Sequence, residues 1–142
     1  DVHKLLYNFF IDQFENDLSS AITTIESIID KKIEIYRAPA FSITSKNTWV
    51  FDVLFKYGIR VDCSVFPAKR DFGGIDDFYS SKPSIIETSD NNVLKEFPIN
   101  LFRTKLKDFV FSGGGYFRLF PYFIIKNMIY QNNMMLKKIK LQ

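Results

Sequence analysis

The sequence predicts an α/β fold, and three observations carry the prediction. Apolar residues recur at three- and four-residue spacing early in the chain, short alternating segments follow them, and the connections between are brief. A helix, strand, helix, strand order with short links favours parallel strands and crossover helices, as an α/β layout or part of a barrel. At 142 residues, a single domain with one hydrophobic core is expected over residues 1–142.

The first helix is expected from about Asp12 to Lys31, where Phe14, Leu18, Ala21, Ile22, Ile25, Ile28 and Ile29 share one face. Asp12 with Glu15 approximates a capping box, and Lys31 and Lys32 suit the negative end of the helix dipole. Ile33 to Tyr36 alternates as a strand. It must stop near Pro39, which lacks a ladder donor and biases Ala38 toward extended geometry. A second helix is expected from Lys46 to Tyr57, with Trp49, Val50, Val53, Leu54 and Tyr57 inward and Gly58 as its stop. Ile59 to Cys63 reads as the next strand. Pro67, Gly73, Gly74, Asp76 and Asp77 mark a long loop between Phe66 and Tyr79, a length often used for binding loops or lids. Ser84 to Thr88 and Val93 to Pro98 flank Ser89-Asp90-Asn91-Asn92 as a hairpin. Phe109 to Phe111 is a short strand, and Pro121 suits the first turn of a last helix ending near Gln131.

Composition removes several functions. With one cysteine, Cys63, and one histidine, His3, the chain has no internal disulfide and no four-ligand Cys/His zinc site. A Ser/His/Asp triad would have to use His3. No apolar run reaches the roughly 18–20 residues that cross a bilayer, so no membrane span is expected. The net charge is +3 and the basic residues are spread out except at Lys137, Lys138 and Lys140. Without a dense basic stripe or a known motif, nucleic acid is not an expected partner. Sixteen Phe and seven Tyr suit a thick core, a stacking groove for sugars or bases, or a surface covered by another segment.

Two features invite a site. Gly113, Gly114 and Gly115 resemble a phosphate loop only weakly, because no Lys-Ser/Thr pair follows. A flexible turn and a backbone kept bare for a bulky ligand both remain open for them. Arg37 ends one predicted strand and Asp62 ends the next. At the same ends of adjacent parallel strands they would face the mouth where α/β folds place their sites, with Asp62 the natural partner of Arg37. Cys63 reads as a small buried hydrophobe rather than a nucleophile.

Four segments carry a resemblance. His3-Lys4-Leu5-Leu6-Tyr7, Tyr36-Arg37-Ala38-Pro39-Ala40-Phe41-Ser42-Ile43, Asp62-Cys63-Ser64-Val65-Phe66-Pro67 and Gly113-Gly114-Gly115-Tyr116-Phe117-Arg118-Leu119 occur in the order and spacing of the polysaccharide deacetylases with the NodB-type catalytic domain. The chain resembles most closely the subgroup associated with exopolysaccharide and exosortase gene clusters. The resemblance implies a partial distorted (β/α) barrel of that kind, with an added β-hairpin. It implies a hydrolase acting on C–N bonds other than peptide bonds, which removes acetyl groups from an N-acetylated polysaccharide or oligosaccharide.

The resemblance also implies a divalent metal, commonly zinc, held by one Asp and two His, with a second Asp as general base and a late His as general acid. Carried over residue by residue, His3 matches the second metal-binding His. Arg37 matches the arginine that orients the catalytic carboxylate, and Asp62 the aspartate that orients the late histidine. Pro39, Phe41, Gly113, Gly114, Gly115 and Tyr116 would line the substrate groove. The first His of the metal motif and the Asp pair would lie before Asp1, the late His has no counterpart up to Gln142, and Arg70 stands where many members carry His. The expectation is therefore a fragment of a longer enzyme, inactive alone and without tight metal binding. The alternative is a non-catalytic carbohydrate-binding or assembly module.

Overall fold

The structure is a computed structural model that describes residues 5–6, 9–70, 73–78, 80–103, 108–110 and 114–139. Residues 1–99 and 100–142 form two compact units. In the first, helix α1 (Ile11–Ile29) precedes strand β1 (Ile35–Tyr36), a one-turn helix (Pro39–Phe41), helix α2 (Val50–Lys56), and strands β2 (Val61–Asp62), β3 (Ser84–Glu87) and β4 (Val93–Glu96). Its sheet is four-stranded and mixed, in the order β1-β2-β4-β3. β1 and β2 are parallel, β2 and β4 are parallel, and β3 pairs antiparallel with β4 as the expected hairpin. The α/β class with parallel strands is thus what the sequence predicts.

The core explains why these elements form. Phe14 and Leu18 of α1 are buried with Val50, Phe51 and Leu54 of α2, Ile43, Ile59, Val65 and Leu94. The Phe14 ring meets Tyr36 and Trp49 edge-on, at centroid distances of 6.2 and 5.7 Å, a favoured aromatic geometry. Gly58 ends α2 as expected, at φ 90°. Its N–H bonds to Phe55 O and that of Ile59 to Leu54 O, the paired bonds of a Schellman motif.

Three local expectations fail for identifiable reasons. Asp12 does not cap α1: Phe10 is the N-cap, with no side-chain hydrogen bond, and Asp12 lies inside the first turn. The expected inward face of α1 holds only at Phe14 and Leu18, with Ile22 partly covered, while Ile25, Ile28 and Ile29 are exposed. A helix of 19 residues is about 28 Å long, whereas β1 and β2 are two residues each, too little to cover its whole apolar face. Finally, α2 starts at Val50 rather than Lys46. Asn47 Oδ1 accepts from Thr44 N at 2.6 Å and from Thr44 Oγ1 at 3.0 Å. This side-chain-closed turn competes with helix over residues 44–47.

In the second unit, strands β5 (Leu101–Arg103) and β6 (Asp108–Val110) pair antiparallel, followed by helices α3 (Gly114–Leu119) and α4 (Tyr122–Ile139). Pro121 sits just before α4, and its carbonyl accepts from Ile124 N and Ile125 N. The helix runs further than the pattern up to Gln131 suggests. Gly114 and Gly115 open α3 rather than forming a turn. Among the described residues no helix is long and apolar enough to cross a membrane.

Candidate functional site

The parallel register assembles the site. Tyr36 pairs with Asp62 and Asp62 with Glu96, so these three side chains form one row on one face of β1, β2 and β4. Asp62 and Glu96 are both 0% exposed. Beyond the row, at the C-terminal ends of β1 and β2, the chain leaves as Arg37-Ala38 and turns through Pro39–Phe41. Alternation puts Arg37 on the opposite face from Tyr36, and hence from Asp62. The expected Arg37–Asp62 pair does not form. The ion pairs among the described residues are Lys32–Glu26 and Lys56–Glu15.

Asp62 turns instead to its own chain. Its Oδ2 accepts from Ser64 N at 3.0 Å and its Oδ1 from Ser64 Oγ at 2.6 Å. Ser64 Oγ in turn accepts from Ala38 N at 2.7 Å. One buried hydroxyl therefore links the aspartate to the first residue after Arg37. Glu96 Oε1 accepts from Val65 N at 3.1 Å, while Glu96 Oε2 is buried with no partner.

The turn is strained and braced. Ala40 and Phe41 have φ of 52° and 55°, a left-handed conformation that costs non-glycine residues free energy and persists only where surroundings enforce it. Gly73 presses on it so closely that a Cβ there would lie 2.1 Å from Phe41 O. Gly74 N bonds to Ile43 O at 2.8 Å, and Leu6 N to Ser42 Oγ at 3.1 Å. The expected long loop is thus fastened against the turn over its described part.

On the outside, Pro39 is exposed, and the Arg37 guanidinium carbon lies 5.5 Å from the Phe41 ring centroid. Phe41 meets Phe66 edge-on at 6.3 Å, Arg70 stacks over Phe66 at 4.5 Å, and Arg70 Nη1 donates to Ala40 O at 3.3 Å. The result is a surface of Arg37, Phe41 and Arg70, with the Phe66 ring buried beneath Arg70. The cleft beside it, of about 300 Å³, is lined by Thr44, Ser45, Lys69, Arg70, Gly73 and Asp76.

Electrostatics follow from burial. Desolvation first, then Asp62, hold the Glu96 carboxyl far above the usual carboxyl range, at about 10. Burial, then Asp62 and Asp17, push the Tyr36 hydroxyl upward. Cys63 is half-buried rather than buried as expected, and desolvation raises its thiol against the opposing pull of Arg37.

Other site expectations fall elsewhere. His3 and Gly113 lie outside the described residues, and Gly114, Gly115 and Tyr116 lie in α3 of the second unit. Among the described residues no group of three His, Cys, Asp or Glu side chains fits a metal ion. The buried carboxyls of Asp62 and Glu96 already receive backbone donors from Ser64 and Val65. The described residues therefore do not make up the metal centre that the resemblance implies.

The sequence reading missed Ser64 and Glu96. Both left a signal: Ser64 follows Asp62 at the two-residue spacing of an Asx turn, and Glu96 shares a strand face with buried Leu94. The first unit is a small mixed α/β sheet whose parallel strand ends carry a braced, basic and aromatic turn. By sequence, the chain belongs to the family described as a domain of unknown function (DUF3473), whose profile matches residues 63–140. That stretch includes Ser64 and Glu96 and begins just after Asp62. No curated protein and no solved structure matches the chain.

Proposed function

We propose that the chain is part of a metal-dependent polysaccharide N-deacetylase, and that its first unit is a sector of a distorted (β/α) barrel. The observation that carries this reading is the Arg37 turn, held from behind by Ser64 and Asp62 at the ends of parallel strands. Binding sites of α/β folds lie at such strand ends. Partly exposed Phe41 offers aromatic surface for a sugar ring, and exposed Arg37 supplies a fixed positive charge where a carboxylate must be kept ionised. The reaction is hydrolysis of an acetamido group, with water adding to the carbonyl and the C–N bond breaking to give acetate and the free amine. Arg37 serves by orienting a carboxylate, and His3 would be one ligand of the metal.

The test uses the full-length parent with zinc and an N-acetylated chitooligosaccharide. Acetate release above that of a blank supports the enzyme. Saturable binding of the oligosaccharide without acetate leaves the carbohydrate-binding or assembly module, and neither binding nor release overturns both readings.

A further inference from the structure

We propose that Glu96 is a positioning residue: it carries a proton that it donates to Asp62, and this proton holds the Arg37–Phe41 turn in its strained form. The geometry requires it. Two fully buried carboxyls sit in register on adjacent strands, and two negative charges so placed repel strongly in a medium of low polarity. Arg37, whose charge acts on Glu96, is exposed and opposes the Asp62 charge only weakly. Glu96 Oε2 has no partner as long as both groups are carboxylates, and a buried charged oxygen without a donor is costly. A proton on Glu96 removes the repulsion and turns the orphan oxygen into a donor, with Asp62 within hydrogen-bonding reach.

The remaining bonds then have one consistent direction. Glu96 donates to Asp62, Ser64 Oγ–H donates to Asp62 Oδ1, and Ala38 N–H donates to Ser64 Oγ. Such a chain strengthens its members together. It ends at Ala38, two residues before the left-handed pair Ala40 and Phe41. Loss of the proton drives Asp62 from Glu96, loosens Ser64, and frees the turn.

The groups facing Glu96 agree. Burial and Asp62 on β2 raise its proton affinity, while the Val65 N–H and Arg37 oppose this less strongly. Tyr36, across Asp62 on β1, has its hydroxyl proton held more tightly too, so it adds no competing charge. The sign of the linkage is fixed by the raised folded value. The contribution is fully present below the ordinary carboxyl value of 4.5 and is lost as pH rises toward about 10.

The inference stands apart from the deacetylase reading, and its test needs no substrate. Melting temperatures of the 142-residue chain are measured from pH 5 to pH 9 for the native protein, Glu96→Gln and Glu96→Ala. Gln keeps a neutral donor and an acceptor for Val65 N–H, so Glu96→Gln is expected to gain on the native protein steadily as pH rises, while Glu96→Ala, which keeps neither, melts below Glu96→Gln at every pH. A Glu96→Gln difference that does not change with pH overturns the proposal. If Glu96→Gln fails to fold, carboxyl-carbon NMR of the native chain decides. Glu96 is expected to remain protonated after the other glutamates have titrated, and the Ala38, Ala40 and Phe41 amide signals to move with its midpoint. Titration of Glu96 together with the exposed glutamates, or amide signals indifferent to it, overturns the proposal.

Discussion

Replacing Ser64 by Ala removes one oxygen and breaks two buried hydrogen bonds. The Ala38 N–H loses its acceptor at 2.7 Å and Asp62 Oδ1 loses its donor at 2.6 Å. Ala38 is 3% exposed and Asp62 0%, so water does not replace either partner. Leaving a buried polar group unsatisfied costs about 1–3 kcal/mol. Two such groups, partly relieved by relaxation of the turn, give about 3 kcal/mol. For a chain of this size that lowers the melting temperature by about 10 °C. The assay is thermal unfolding by circular dichroism, with amide hydrogen exchange at Ala38 as the local readout. Ser27→Ala is the control, because the Ser27 hydroxyl donates to Thr24 O at 2.7 Å in an exposed setting, and its loss is worth about 0.5 kcal/mol or less. If Ser64→Ala melts within 1–2 °C, roughly the error of the scan, of the native chain and Ala38 stays protected, Ser64 does not brace the turn.

The other predictions are shorter. Gly73 and Gly58 both have positive φ, but a Cβ at Gly73 meets backbone at 2.1 Å whereas one at Gly58 meets nothing within 4 Å. Gly58→Ala is therefore expected to cost about 1 kcal/mol and Gly73→Ala at least about 2–3 kcal/mol, and denaturant titrations giving the reverse order would refute the packing of Gly73 on the turn. Leu18→Ala is expected to cost about 2–4 kcal/mol and Ile28→Lys about 0.5 kcal/mol or less, because Leu18 is 4% exposed and Ile28 76%. Comparable losses at both positions in the same titrations would show that the end of α1 is covered in solution.

The class of fold was legible because helical and alternating periods report burial directly, and α2 with its Gly58 stop shows how far local signals reach. The exposure of Ile25, Ile28 and Ile29 at the end of α1 was not legible. Periodicity reveals which residues could be buried, and only the length of the sheet decides which ones are. The site divides in the same way. Arg37 and Asp62 could be placed at strand ends from the sequence, but their pairing depended on facing direction, which a single residue of register reverses. Asp62 found Ser64 two residues on, a local partner that a search for opposite charge overlooks. Glu96 was hidden by the hairpin pattern itself, where an acidic residue on the Leu94 face reads as ordinary alternation until the neighbouring strand puts Asp62 beside it.

The most direct measurement of the functional claim is the kcat/KM of the full-length parent on an N-acetylated chitooligosaccharide, compared between the native protein and Arg37→Ala. Arg37 is exposed and contributes its cation to no ion pair among the described residues, so Arg37→Ala is expected to fold, which circular dichroism checks. The account predicts a loss of about 100-fold or more, as for other fixed groups that stabilise charge at a reaction centre. An unchanged kcat/KM in a correctly folded variant would contradict it.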